Sequence, residues 1–111
     1  PTRTARNAQA FTRSGTLALR NVAYKYSQEP LDPLCGCLTC RRHSRSYLRH
    51  LFKTREILAA LLTTRHNLHF LQDLMRSVQG AIREGRFTYF KSAFLDGYQK
   101  DLDKEVPDAE Q

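Results

Sequence analysis

The period of the hydrophobic positions changes near residue 44, and the change divides the chain. Before it, Thr16–Arg20 and Val22–Tyr26 alternate roughly at period two, which predicts two short strands. Residues 1–15 are rich in Thr, Arg, Asn, Ser and Gly, with Phe11 the only large apolar side chain, and read as loop. Pro30 and Pro33 disfavour helix and predict a loop that ends at Cys35. From about Ser44 the spacing is helical: Tyr47, Leu48, Leu51, Leu58, Leu61 and Leu62 fall on one side, widened by Phe52 and Ile57. Arg45, Arg49, Lys53 and Glu56 form the opposite stripe. This predicts one helix running to His66, with an apolar arc over half the wheel and therefore neighbours on two sides.

Asn67 is the expected N-cap or kink of a second helix over 68–84, where Phe70, Leu71, Leu74, Met75, Val78 and Ile82 share a face. Gly85 is its expected C-terminal stop. A last helix over 86–98 carries Phe87, Phe90, Phe94 and Tyr98 at helical spacing. Beyond Gln99 the apolar period is lost, which predicts a disordered acidic tail. The fold class expected is α+β, mostly α.

A chain of 111 residues holds one small domain, whose core is marginal unless something staples it. No apolar run approaches the roughly 20 residues of a membrane span, and the arginine-bearing first twenty residues have no apolar block of a signal peptide. Three cysteines cannot all pair within one chain, so a reducing, cytoplasmic setting is expected. The net charge of +7 is uneven. Residues 1–65 carry twelve Lys and Arg against Glu29, Asp32 and Glu56, whereas residues 66–111 carry six against eight acids. A basic front half points to a polyanion, nucleic acid before membrane surface, or to a merely solvated basic face.

The most specific local signal is Cys35-Gly36-Cys37-Leu38-Thr39-Cys40. Three thiols within six residues can share a metal ion, and zinc requires a fourth, tetrahedral ligand. Spacing ranks His66 ahead of His69, with His43 and His50 behind. A Cys3His set leaves no open position, so such an ion is structural, clipping the proline-rich loop to a helix end. No Ser-His-acid set, GxSxG or P-loop is present, and the acids before residue 70 are isolated. The chain's own residues are not expected to make a complete enzyme.

Several motifs occur together in order: Pro1-Thr2-Arg3-Thr4-Ala5-Arg6-Asn7, the cysteine cluster, Ser44-Arg45-x-Tyr47-Leu48, Glu56-Ile57-Leu58 and His66-Asn67-Leu68. As a set they closely resemble the C-terminal part of tRNA-guanine transglycosylases, also called queuine tRNA-ribosyltransferases, of the bacterial type. The resemblance covers residues 1 to about 98. It implies a fragment of a TIM-like (β/α)8 barrel enzyme with a Cys3His zinc subdomain. It also implies exchange of guanine at the tRNA wobble position for a 7-deazaguanine base, preQ1, in queuosine biosynthesis. In that family an aspartate attacks the ribose C1′, guanine leaves, and the incoming base displaces the enzyme. The aspartate precedes the Pro-Thr-Arg motif, so this chain alone is expected to be inactive.

By position, the resemblance makes Thr2, Arg3, Thr4, Ala5 and Arg6 the anticodon-loop contacts and Cys35, Cys37, Cys40 and His66 the ligands of one structural Zn2+. It also implies a homodimer through the helix bearing Tyr47, His50 and Leu51. The implied organisation is an RNA-contacting segment with short strands (1–34), a zinc subdomain (35–66), C-terminal helices (67–98) and an acidic tail (99–111). Arg55 and Ala8 depart from the family pattern, which has glycine at both positions, and Thr4 replaces a common asparagine or serine. The competing expectation is a stand-alone zinc-stabilised RNA-binding or dimerisation module without chemistry.

Overall fold

A computed structural model describes residues 2–98; the expected acidic tail lies outside them. The elements are α1 (Thr2–Arg6), β1 (Gln9–Thr12), β2 (Gly15–Ala18), a 3-10 turn (Val22–Tyr24), α2 (Leu38–Arg42), α3 (Arg45–Lys53), α4 (Ile57–Arg83) and α5 (Phe87–Gly97). The α+β, mostly helical class agrees with the hydrophobic pattern.

Residues 2–15 are not one loop. Thr2–Arg6 is a helical turn packed on α4, and Gln9–Thr12 pairs antiparallel with Gly15–Ala18. The register pairs Gln9 with Ala18, Ala10 with Leu17, Phe11 with Thr16 and Thr12 with Gly15. The small residues hid this strand: its buried side chains are Ala10 and Thr12, too weak an apolar signal to show a period. The Thr12 hydroxyl closes the two-residue turn, accepting from Ser14 and Gly15 amides at 3.2 and 3.1 Å and donating to the Gly15 carbonyl at 2.6 Å. The second expected strand, Val22–Tyr26, is instead a 3-10 turn capped by Asn21, whose side chain accepts from the Ala23 amide at 2.9 Å.

The single helix expected from Ser44 to His66 is broken at Thr54–Glu56. Arg55 adopts φ 58°, the Arg55 amide donates to the Phe52 carbonyl at 3.1 Å, and the Glu56 amide reaches back to Leu51 at 2.9 Å. This pair of bonds is the Schellman termination, whose left-handed residue is ordinarily glycine. The end of α4 repeats it with Gly85 at φ 71°, Gly85 bonded to Ile82 and Arg86 to Ala81. Ala8, φ 61°, follows α1 with its amide on the Ala5 carbonyl at 3.0 Å. Ala8 and Arg55 are thus the two non-glycine left-handed residues among those described. Glycine adopts such a φ without the steric cost that a side chain carries. Arg55 is exposed and loses little packing on replacement, so Arg55→Gly is expected to stabilise the fold by about 1 kcal/mol in urea unfolding. At Ala8 the methyl is fully buried, and its loss offsets the backbone gain.

Asn67 is neither cap nor kink, because α4 runs unbroken through it for 27 residues. The break at Arg55 also redistributes the wide apolar arc. Leu48, Leu51 and Phe52 enter the core with Leu17, Leu19, Leu31 and Ala59, while Ile57, Leu58 and Leu61 remain exposed. Arg49, expected on the solvent stripe, is buried, with Nε donating to the Asn21 carbonyl at 3.2 Å. Along α4, Leu61, Leu68, Met75 and Ile82 form an exposed row at intervals of seven residues. Among the described residues no helix is long and apolar enough to cross a membrane.

Candidate metal centre

The approach to the cysteines is fixed by Arg45. Its guanidinium donates to the carbonyls of Pro30 (2.9 Å) and Leu31 (3.2 Å) and lies over the Tyr24 ring. Buried Asp32 continues the turn, with one carboxylate oxygen accepting from the Leu34 amide at 2.9 Å and the other from the Arg13 amide at 3.0 Å. The chain then winds around its own sulfurs: the Cys37 amide donates to Cys35 Sγ and the Cys40 amide to Cys37 Sγ, both at 3.4 Å. Cys37 caps α2 through this second bond, and Thr39 ties α2 to α4 by donating to the Leu62 carbonyl at 2.7 Å.

His66 arrives from α4, wholly buried. Its Nδ1 lies 3.6, 3.5 and 3.3 Å from the Sγ atoms of Cys35, Cys37 and Cys40. One nitrogen nearly equidistant from three sulfurs is a ligand cage. Tetrahedral zinc with Zn–S of about 2.3 Å and Zn–N of about 2.0 Å places S and N about 3.5 Å apart. The four ligand atoms lie within 4.8 Å of one another. The other ring nitrogen, Nε2, is 2.6 Å from the Phe11 carbonyl; that bond makes Nε2 the protonated nitrogen and leaves the Nδ1 lone pair for a metal. The donor set therefore fits one metal ion.

The structure brings together the three cysteines and His66. It leaves His43 apart, stacked on Tyr47 with ring centroids 4.9 Å apart, and His50 exposed on α3. His69 stands beside Cys35 but outside the four-residue group. Of the expected RNA contacts, Arg3 and Arg6 are exposed one turn apart on α1, Thr4 is half-buried, and Ala5 is buried. Of the expected dimer residues, Tyr47 and His50 are exposed, whereas Leu51 belongs to the chain's own core.

Sequence reasoning missed Asn67. Its Oδ1 accepts from the Phe11 amide at 3.0 Å and its Nδ2 donates to the Gln9 carbonyl at 3.1 Å. The Leu19 amide bonds to the Ala8 carbonyl, so with that phase of the antiparallel ladder Gln9 and Phe11 turn their polar groups away from β2. Adjacent His66 and Asn67 satisfy that outer edge. The metal centre is thereby joined through β1 to the helix bearing Arg3 and Arg6.

The thiols are strongly unequal. The hydrogen bond from the Cys40 thiol holds Cys37 far below the ordinary thiol value, at about 3, while the same contact raises Cys40 and burial raises Cys35. Cys37 is thus a thiolate at neutral pH, and Cys35 and Cys40 keep their protons until a metal displaces them. Metal binding displaces thiol protons, so raising the pH tightens binding. Between about pH 7 and 8 the affinity for zinc is expected to rise at least about tenfold per unit, measured by chelator competition at several pH values. A slope near zero would contradict proton release on binding.

The model of one protein family, described as queuine tRNA-ribosyltransferase, matches residues 1–100. A queuine tRNA-ribosyltransferase of Desulforapulum autotrophicum is 51% identical over 94 residues, covering 85% of this chain and 25% of that protein. One from Francisella tularensis subsp. tularensis is 50% identical over 99 residues, covering 89% of this chain and 27% of that protein. The chain spans about a quarter of the length of these curated relatives. The residues that wind around the sulfurs, and the two that clamp β1, all lie within the matched span, and the chain belongs to the queuine tRNA-ribosyltransferase family.

Proposed function

We propose that this chain is the C-terminal, tRNA-contacting part of a tRNA-guanine transglycosylase, held together by one structural Zn2+ on Cys35, Cys37, Cys40 and His66. The observation that carries the reading is the connection from His66 through β1 to α1, within a chain whose family is shown. The metal supplies a strong clip without an open position for chemistry. Arg3 and Arg6 project from one side of α1, where guanidinium groups suit phosphates and splayed bases of an anticodon loop. Thr2 and Thr4 complete that segment, and buried Ala5 seats it on the fold. Exchange of the wobble guanine for preQ1, a 7-deazaguanine base, belongs to the whole enzyme in the cytoplasm, with its catalytic aspartates outside this sequence and this chain inactive alone. The exposed row along α4 then packs on the barrel, and Tyr47 and His50 face a second copy in a homodimer.

In the full-length protein, Arg3→Ala combined with Arg6→Ala is expected to weaken tRNA binding at least about tenfold and reduce its salt dependence, with zinc content unchanged. Unchanged affinity would remove α1 from the RNA interface. A full-length protein that binds tRNA and zinc but incorporates no labelled guanine into tRNA would leave only a binding module.

A further inference from the structure

His69 lies three residues beyond His66 on α4, so both rings reach the same side of the helix. Its Nδ1 is 3.6 Å from Cys35 Sγ and 3.6 Å from Oδ2 of Asp73, whose Oδ1 accepts from Arg76 at 3.2 Å. The three cysteines are not equally enclosed. Cys37 and Cys40 are buried, whereas Cys35 is half-buried and borders a cavity of about 50 Å³ shared with Asp73 and Phe70. The four ligand atoms close among themselves without His69. A fifth ligand is therefore unnecessary, yet an imidazole stands against the one sulfur that faces open space.

We propose that His69 is a positioning residue of the metal centre, whose Nδ1–H donates to the Cys35 sulfur and holds that thiolate in place. The inference rests on the metal-site reading above. A metal-bound thiolate carries negative charge, and the Cys37 amide is the other donor seen on Cys35 Sγ. A second N–H at the half-buried corner neutralises part of that charge, sets the direction of the sulfur and competes with water for it. Loss of such an outer partner costs a metal site about 10- to 100-fold in affinity.

The test uses the 111-residue chain with zinc and cobalt(II) as probes. Zinc affinity is measured by chelator competition for the parent, His69→Ala and His69→Asn, the last keeping an N–H donor at nearly the position of Nδ1. Folding of each loaded variant is checked by circular dichroism. His69→Ala is expected to bind zinc about 10- to 100-fold more weakly, and His69→Asn to recover most of the loss. In the cobalt form the four-coordinate d–d bands persist in His69→Ala, while the sulfur-to-cobalt charge-transfer band shifts. Equal affinity and an unshifted band in His69→Ala would overturn the proposal. So would His69→Asn as weak as His69→Ala, which assigns the effect to packing. Two nitrogen ligands in the parent spectrum would make His69 a ligand and also overturn it. A parent chain that binds neither metal would instead overturn the site reading itself.

Discussion

Replacement of His66 by alanine is expected to abolish stoichiometric zinc and, with it, most of the helicity of the chain. Structural zinc supplies apparent folding free energy of order 10 kcal/mol in small domains, comparable to the whole stability of a typical one. Here Cys37 and Cys40 belong to the hydrophobic core, so the metal centre and the core are one object. His66 also holds β1 through the Phe11 carbonyl, and two substitutions separate its roles. His66→Cys offers zinc an all-thiolate set of four cysteines, which it accepts, but no partner for Phe11. It is expected to keep one zinc and lose about 1–3 kcal/mol. Zinc content and urea unfolding of both variants check this. A His66→Ala chain with one tightly held zinc and full helicity would contradict it.

Asn67→Ala carries the second large effect, without touching the metal ligands. It leaves the Phe11 amide and the Gln9 carbonyl unpaired against α4, beneath a side chain that is wholly buried. Two part-buried backbone groups left without partners cost about 1–3 kcal/mol together. Asn67→Asp fares no better, because its second oxygen faces the Gln9 carbonyl in place of a donor. Both variants are expected to retain one zinc per chain while unfolding at lower urea, with backbone amides of β1 losing hydrogen-exchange protection first. Unchanged urea midpoints would show that β1 does not depend on this clamp.

The division between what the sequence discloses and what it hides follows from how each feature is encoded. The Cys35–Cys40 spacing is local chemistry, legible without a fold, and His66 ranks first among four histidines because a helix end is expected there. That helix end is absent: α4 passes straight through His66 and Asn67. The break falls eleven residues earlier, at Arg55, because a left-handed residue that is not glycine leaves no mark on the apolar period. Gly85, performing the same termination, is legible from its residue type. β1 is hidden because its inward side chains are Ala10 and Thr12, and its outer edge is satisfied by α4 side chains more than fifty residues away. Asn67 cannot be found by period or propensity, since an asparagine inside a helix normally signals a cap. Its adjacency to a candidate ligand is the only local hint. The resemblance alone points to a reaction and a substrate, which no pattern contains, and it marks positions 8 and 55 as departures, where φ proves to be positive.

The most direct test of the central claim is zinc-edge X-ray absorption on the purified, reduced chain, with zinc per chain measured on the same sample. The account predicts one zinc per chain, with three sulfurs at about 2.3 Å and one nitrogen at about 2.0–2.1 Å. A shell of two sulfurs and two nitrogens, or a chain folded without metal, would contradict it.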